Sequence, residues 1–240
     1  MIATHEAAKA DVTIAAKLVD RSAAGGLGIM RIDPTGRATG FLEKPKTEDE
    51  LKHVVKDPAW LRERGYDGGD CLASMGIYLF NREPLAAALE KTAYPDFGKD
   101  VFPATIRSRK VQMHMFDGYW EDIGTIRSFY DANLQLARPN PPFELASATS
   151  PIYTRQRSLA PTRVEGATIR HSLVSDGCVL GEGARIENSV IGLRCHIGRN
   201  VTIRNSVIMG ADFYESPEQL AANRAENWPP IGTGDESVIE

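Results

Sequence analysis

A six-residue rhythm near the C-terminus constrains the fold of this chain more than any other feature. Aliphatic residues recur at every sixth position, with small or compact residues four places on, and only Arg185 breaks the register. A hexapeptide period is the signature of a parallel β-helix, whereas an antiparallel sheet would show a period of two. Residues 164–240 are therefore predicted to form a β-helix, from a grid of Leu173, Val179, Ile191, Ile197 and Ile203, with Gly177, Gly183, Cys195 and Val201 as the small positions.

The rhythm is interrupted once before the end of the chain. It pauses at residues 209–216, gives way to a polar insertion, and resumes at Ile231. It then stops in mid-repeat at Glu240. A β-helix needs a capping coil, so we expect a chain cut short at its C-terminus whose last coil is an unpaired edge.

Residues 1–137 have a different organisation, because strand and helix patterns alternate there. Such alternation predicts an α/β domain ending near Ala137. Prolines are frequent in residues 138–163, which are predicted to be a linker. The predicted strands are Asp11 to Val19, Cys71 to Phe80 and Val111 to Phe116, and the predicted helices are Met1 to Ala10, Glu83 to Lys91 and Thr125 to Leu136.

A glycine run, G-G-L-G-I-M at residues 25–30, imitates a phosphate-binding loop. Such a loop leaves a strand and enters a helix, so that backbone N–H groups converge on the anion. Here the run feeds an alternating strand and then the turn D-P-T-G at residues 33–36. We therefore predict a hairpin with strands at 28–32 and 37–42, entered by a flexible connection.

Composition excludes several classes of protein. With 42% hydrophobic residues, 25% charged residues and a net charge of -4, the chain shows neither a membrane-length apolar run nor a basic face for nucleic acid. No secretory signal is visible, so a cytoplasmic setting is expected. The three cysteines and five histidines have no disulfide-framework or metal-ligand spacing, and structural roles are predicted for them.

Six short segments occur in a fixed order along the chain. Four lie in the α/β part, and two, P-I-Y-T at 151–154 and M-G-A-D-F-Y-E at 209–215, lie beyond it. Together they resemble glucose-1-phosphate adenylyltransferase, also called ADP-glucose pyrophosphorylase, and the last two are most similar to its cyanobacterial and plant branch. The first four segments are F-L-E-K-P at 41–45, L-A-S-M-G-I-Y-L-F at 72–80, D-F-G-K-D-V-F-P at 96–103, and D-G-Y-W-E-D-I-G-T at 117–125.

The resemblance implies the C-terminal half of a Rossmann-like nucleotidyltransferase domain, followed by a left-handed parallel β-helix. The implied reaction converts ATP and α-D-glucose 1-phosphate to ADP-glucose and diphosphate with Mg²⁺, for glycogen or starch synthesis. Its catalysis would rest mostly on positioning and charge neutralisation. A homo- or hetero-oligomer, a tetramer in the family, and a cytoplasmic or plastid location are implied as well.

The resemblance also assigns residues to roles. Lys44 corresponds to the lysine that binds the sugar phosphate, Glu43 accepts hydrogen bonds from glucose hydroxyls, and Ser74 contacts a sugar hydroxyl. Trp120 packs beside the sugar, and Asp122 is one of two carboxylates that bind Mg²⁺, so Asp122 and Lys44 are the predicted catalytic residues. From the residues alone, a solvated Glu-Lys pair, a core serine, a core tryptophan and a helix-capping aspartate remain alternatives.

The sequence departs from this family in one respect. It has no G-G-x-G-T-R-L-x-P-L motif and no first metal-binding aspartate, and we expect both upstream of Met1. The 240-residue chain alone is thus expected to have negligible synthetic activity. Three alternatives stay open: a non-catalytic binding or assembly module, another sugar-1-phosphate nucleotidyltransferase, and an acyltransferase that uses His171 or His196.

Overall fold

The computed structural model describes residues 1–55, 60–61, 63, 65–66, 69–90 and 97–240. They form two compact units, Met1–Trp120 and Glu121–Glu240. The predicted linker therefore lies within the second unit. No helix in the described ranges is long and apolar enough to cross a membrane.

The first unit is built on a five-stranded sheet with the strand order β3-β2-β4-β1-β5. Strands β1 and β5 are parallel, and the other neighbours are antiparallel. The predicted strands and the predicted hairpin are confirmed, and Gly36 has the positive φ of 82° that the hairpin turn requires. The strands are β1 (Val12–Val19), β2 (Gly28–Ile32), β3 (Ala38–Glu43), β4 (Cys71–Phe80) and β5 (Val111–Met115).

Both faces of this sheet are buried, which explains why β4 begins as a continuous apolar run. One face packs Ile14, Met30 and Leu72 against Phe102. The other face packs Ile29 and Cys71 against Ala24, Leu51 and Val54. Burial raises the pKa of the Cys71 thiol to about 12, so this cysteine is an unreactive core residue.

Short helices flank the sheet. They are α1 (Ile2–Ala8), α2 (Glu48–Lys52), α3 (Arg82–Glu90) and α4 (Phe102–Ser108), with a 3-10 helix at Arg21–Gly26 and a π-helical turn at Phe97–Val101. Helix α2 starts with a capping box between Thr47 and Glu50. Two predicted positions, Lys91 at the end of a helix and Asp96 in the D-F-G-K-D segment, lie outside the described residues.

His5 has the structural role that was predicted for the histidines. It is 8% exposed, its Nδ1 lies 2.8 Å from Thr13 Oγ1, and its Nε2 lies 3.2 Å from Asn81 Oδ1. Another histidine, His114, lies 2.8 Å from the Thr4 hydroxyl through its Nδ1, and burial lowers its pKa. These contacts tie α1 to the sheet.

The second unit begins with helix α5 (Ile126–Gln135), which confirms the predicted helix and its cap. Thr125 Oγ1 accepts a hydrogen bond from Ser128 N at 3.0 Å, and Ser128 completes the capping box. Tyr130 Oη donates to the Asn188 carbonyl at 2.8 Å, which joins the helix to the following domain. Residues 138–162 contain neither helix nor strand.

The rest of the second unit is a left-handed β-helix, as predicted. Three parallel sheets form its sides, with the strand orders β16-β13-β10-β7, β14-β11-β8 and β15-β12-β9-β6. The strands are β6 (Arg163–Val164), β7 (Thr168–Arg170), β8 (Leu173–Val174), β9 (Val179–Leu180), β10 (Arg185–Glu187), β11 (Val190–Ile191), β12 (His196–Ile197), β13 (Thr202–Arg204), β14 (Val207–Ile208), β15 (Gly232–Thr233) and β16 (Val238–Ile239). Helix α6 (Pro217–Ala225) lies in the insertion between β14 and β15.

The strict six-residue grid is wrong in part. Ser206 N donates to Ser189 Oγ one coil away, and the two residues are 17 positions apart, because one side of this coil has five residues instead of six. The inward register therefore slips, so that Val179 is only half-buried and Arg185 is exposed. Their neighbours point inward instead, and the buried stack is Leu180, Ile186, Ile191, Ile197 and Ile203, with Cys178, Ala184, Cys195 and Val201 beside it.

Candidate functional site

Glu43, Gly28 and Ser74 lie in one row across three strands of the first unit. Gly28 of β2 pairs directly with Glu43 of β3. On its other side β2 pairs with β4 through Ile29 and Ala73, which places Ser74 next to the row of Gly28. Because paired residues project from the same face of a sheet, Glu43 and Ser74 share a face. Gly28, from the glycine run, thus places a residue without a side chain between the polar residues Glu43 and Ser74.

The absence of a side chain at Gly28 also leaves space for the side chains of Phe41 and Glu43. A Cβ atom at Gly28 would overlap Phe41 Cζ and would lie 2.9 Å from Glu43 Oε2. The Phe41 ring packs against Phe102 with a centroid distance of 5.7 Å, so the ring has little freedom to move away. The sequence therefore needs glycine here for the close approach of side chains.

Lys44 follows β3 and has an unusual backbone conformation. Its φ of 49° lies in the left-handed region, which is strained for a residue other than glycine. Its backbone N–H donates to the Leu27 carbonyl at 3.0 Å and holds that conformation. The Lys44 side chain is 61% exposed and its Nζ lies 3.9 Å from Glu43 Oε1, so the two side chains form a loose pair that is open to a ligand.

Ser74 lies at a bulge in β4. Ile14 of β1 pairs with Tyr78 of β4, and Ala16 pairs with Ser74. One residue separates the paired positions on β1 and three separate them on β4, so β4 carries two extra residues there. Gly76, in that bulge, has a φ of 73° and donates its N–H to Ser74 Oγ at 3.4 Å. The bulge brings the hydroxyls of Ser74 and Tyr78 within 3.4 Å of each other.

Sequence reasoning missed Tyr78. Its ring lies 4.4 Å from Phe102 and stacks on Phe97 at 6.4 Å between centroids, so its hydroxyl is carried by a packed aromatic cluster. The available signal was a glycine between Ser74 and Tyr78, which indicates a bulge in a strand. Two hydroxyl groups, rather than one, therefore line this end of the sheet.

Trp120 ends the loop that follows β5, and a second missed residue, Lys17, holds that loop. Lys17 Nζ donates to the Gly118 carbonyl at 2.5 Å and lies 5.9 Å from the centroid of the Phe116 ring. A Cβ at Gly118 would lie 3.0 Å from Phe116 Cε1, so the loop folds closely over that ring. Trp120 is half-buried.

Asp122 belongs to the second unit, and its carboxylate is exposed. It does not cap helix α5, because Thr125 does so. The described ranges contain no group of three or more His, Cys, Asp or Glu side chains that could hold a metal ion by themselves. An exposed carboxylate nevertheless fits Mg²⁺, which keeps several waters and uses one or two protein carboxylates beside substrate phosphates.

The structure thus brings Glu43, Lys44 and Ser74 to one end of the sheet in the first unit. The residues nominated for an acyltransferase, His171 and His196, are both exposed on the β-helix. Neither imidazole makes a hydrogen bond to a carboxylate of the described residues, so the orienting partner of a catalytic histidine is absent there.

Comparison with protein families covers both units of the chain. Residues 1–138 match the family model described as nucleotidyl transferase. Residues 157–240 match the model described as the GLGC left-handed parallel β-helix domain. These matches agree with the sheet of the first unit and the coils of the second. The chain therefore belongs to the nucleotidyl transferase family and carries a left-handed β-helix domain of the GLGC type, which makes it a sugar-phosphate nucleotidyltransferase of that type.

Proposed function

We propose that this chain provides the sugar-phosphate half of a glucose-1-phosphate adenylyltransferase site. The full reaction joins ATP and α-D-glucose 1-phosphate to give ADP-glucose and diphosphate for glycogen or starch synthesis. A phosphate oxygen of the sugar phosphate forms a bond to the α-phosphorus of ATP, and the bond from that phosphorus to the β-phosphate oxygen breaks as diphosphate leaves.

One observation carries this proposal: the strained, exposed Lys44 beside Glu43. Non-glycine residues with a strained backbone cluster at binding sites, where the surrounding structure holds them in place. An exposed ammonium supplies charge-assisted hydrogen bonds to a phosphate, and the neighbouring carboxylate accepts hydrogen bonds from sugar hydroxyls. A single ligand that carries both groups fits this pair.

The remaining residues have complementary roles in the proposal. The Ser74 and Tyr78 hydroxyls face the same ligand as hydrogen-bond partners, and Trp120 packs on the sugar ring. Asp122 would hold Mg²⁺, which neutralises charge on the phosphates when bound. The chain's own contribution is then to bind the sugar phosphate and to orient its attacking oxygen. Assembly into an oligomer stays a prediction.

Binding of glucose 1-phosphate to the purified chain tests the proposal without requiring turnover. Titration calorimetry should detect binding to the unaltered chain and a dissociation constant that is about 10- to 100-fold higher for Lys44→Gln. That range corresponds to the roughly 1.5–3 kcal/mol of a hydrogen bond to a charged group. Lys52→Gln is the matched control, because Lys52 is 68% exposed and its ammonium pairs with Asp49, one turn earlier on α2, at 2.7 Å.

The identity of the sugar is tested in the same titration. Galactose 1-phosphate and inorganic phosphate should bind more weakly than glucose 1-phosphate, and Glu43→Gln should reduce the difference among them. Unchanged binding in Lys44→Gln would refute the assignment of the phosphate site. A preference for another sugar phosphate that still depends on Lys44 would instead support a nucleotidyltransferase of different sugar specificity.

A further inference from the structure

The insertion between β14 and β15 is held rigidly by its own contacts. Glu215 accepts hydrogen bonds from Asn223 Nδ2 and from Ile231 N, both at 2.7 Å, and thereby closes the two ends of the insertion on each other. Ser216 forms a capping box with Gln219 at the start of α6. Asn227 turns the chain after the helix with a φ of 57°.

Trp228 follows this turn and is held in an exposed position. Its backbone N–H donates to the Asn223 carbonyl at 2.8 Å, and Pro229 and Pro230 come directly after it. Two prolines restrict φ and leave the segment few alternative conformations. The indole is nevertheless 65% exposed, so the insertion presents a large aromatic surface to solvent at little further cost in conformational entropy.

The exposed indole forms part of a cavity of about 500 Å³ between the insertion and the last coils of the β-helix. This volume falls within the roughly 300–1,000 Å³ of small-molecule sites. Leu220, Trp228 and the two prolines supply apolar surface. His196 and Asp235, from the β-helix itself, supply polar surface. The cavity therefore has both an aromatic surface and a hydrogen-bonding surface.

Several polar groups in the cavity are available to a ligand. Three of them make no side-chain hydrogen bond to any residue that the structure describes: the imidazole of His196, the guanidinium of Arg224 and the amide of Asn227. Asp235 accepts hydrogen bonds from Arg199 at 2.8 Å and 3.0 Å, and these bonds lower its pKa, so it stays an ionised acceptor. Donors and an acceptor thus lie opposite the aromatic ring.

We propose that this cavity binds a neutral oligosaccharide. A pyranose ring has an apolar face that packs on an indole and a rim of hydroxyls that both donate and accept hydrogen bonds. The Asp235 carboxylate can accept hydrogen bonds from such hydroxyls, and the Arg224 guanidinium can donate to them. This site lies in the second unit and uses none of the residues proposed for glucose 1-phosphate.

The test uses two neutral trisaccharides of different linkage, maltotriose and cellotriose, with the full chain. Titration at millimolar concentration should shift the NMR signal of the Trp228 indole N–H, which is assigned by its loss in Trp228→Ala. That variant should bind at least about tenfold more weakly, as expected for an aromatic anchor. Since the indole is mostly exposed, this variant should fold normally, as its circular dichroism would show.

Two controls distinguish binding in this cavity from binding elsewhere on the chain. Tyr153→Ala removes an aromatic side chain of the same unit that is 92% exposed and does not line the cavity, and it should leave binding unchanged. Lys44→Gln should also leave trisaccharide binding unchanged. A negative result for glucose 1-phosphate binding can therefore be distinguished from a negative result for trisaccharide binding. Absence of binding by both sugars, binding that survives Trp228→Ala, or binding of inorganic phosphate alone would each overturn the proposal.

Discussion

Replacing Gly28 with alanine should disturb both the candidate site and the packing of the sheet around it. The added Cβ would overlap Phe41 Cζ and would also lie 2.9 Å from Glu43 Oε2. Both contacts are shorter than an ordinary van der Waals contact, so both side chains must move. The Phe41 ring is confined by Phe102, whereas the Glu43 carboxylate is at the end of a flexible side chain. We therefore expect the overlap with the confined Phe41 ring to cause most of the loss in stability, while the Glu43 carboxylate is displaced.

Two opposing effects set the magnitude. Overpacking next to a confined ring costs about 1–3 kcal/mol. Replacing glycine with alanine in an extended strand recovers about 0.4–1 kcal/mol through the lower entropy of the unfolded chain. The expected result is a loss of about 0.5–2 kcal/mol in the free energy of unfolding of the first unit. Displacement of Glu43 should in addition raise the dissociation constant of glucose 1-phosphate about tenfold, the equivalent of ~1.4 kcal/mol.

Urea unfolding and calorimetry measure both effects. A Trp228→Phe background leaves Trp60 and Trp120 as the fluorescent reporters of the first unit. Gly26→Ala is the matched control from the same glycine run, because a Cβ there meets nothing within 4 Å. This control should be neutral or up to about 1 kcal/mol stabilising. If Gly28→Ala behaved like Gly26→Ala in both assays, the steric argument would be refuted.

The remaining predictions concern the hairpin turn and the stacking of coils. Hydrogen bonds from Thr35 and Arg37 lower the pKa of Asp33, so its stabilisation is present above the unfolded pKa and is lost as pH falls through the folded one. Asp33→Asn should therefore cost about 0.5–1 kcal/mol at pH 7 and show a flatter loss of stability below about pH 4 in urea unfolding. In the β-helix, a Cβ at Gly181 would lie 2.8 Å from the Gly198 carbonyl carbon. Gly181→Ala should lower the unfolding free energy by about 1–3 kcal/mol, measured in the same way.

The parts of this fold that the sequence predicted are those that depend on local patterns. The hairpin follows from Asp33-Pro34-Thr35-Gly36, because these residues restrict the backbone within four positions. Helix α5 follows from Thr125, whose hydroxyl caps the helix only three residues away. In both cases the relevant interactions are contained in the quoted segment.

The parts of the site that escaped prediction depend on contacts between distant segments. Lys17 is joined to Gly118 across the sheet, and neither residue has a local pattern that indicates the other. The positive φ of Lys44 depends on a hydrogen bond to Leu27 in a neighbouring segment. The family resemblance assigns roles to Glu43, Ser74, Trp120 and Asp122 because they stand in its motifs. Ligand titration tests these roles.

The slip of the β-helix register leads to a last prediction, on two adjacent residues. The six-residue grid would put position 185 inside the β-helix, whereas the shorter coil puts Ile186 there, 1% exposed and stacked on Ile203 of the next coil. Ile186→Ala should therefore lower the unfolding free energy of the second unit by about 2–5 kcal/mol, because it leaves a cavity in the stack. Arg185→Ala should change it by less than about 0.5 kcal/mol, since its side chain is exposed. Urea unfolding followed by circular dichroism decides between the registers: a larger loss for Arg185→Ala than for Ile186→Ala would show that the coil has the full hexapeptide period after all.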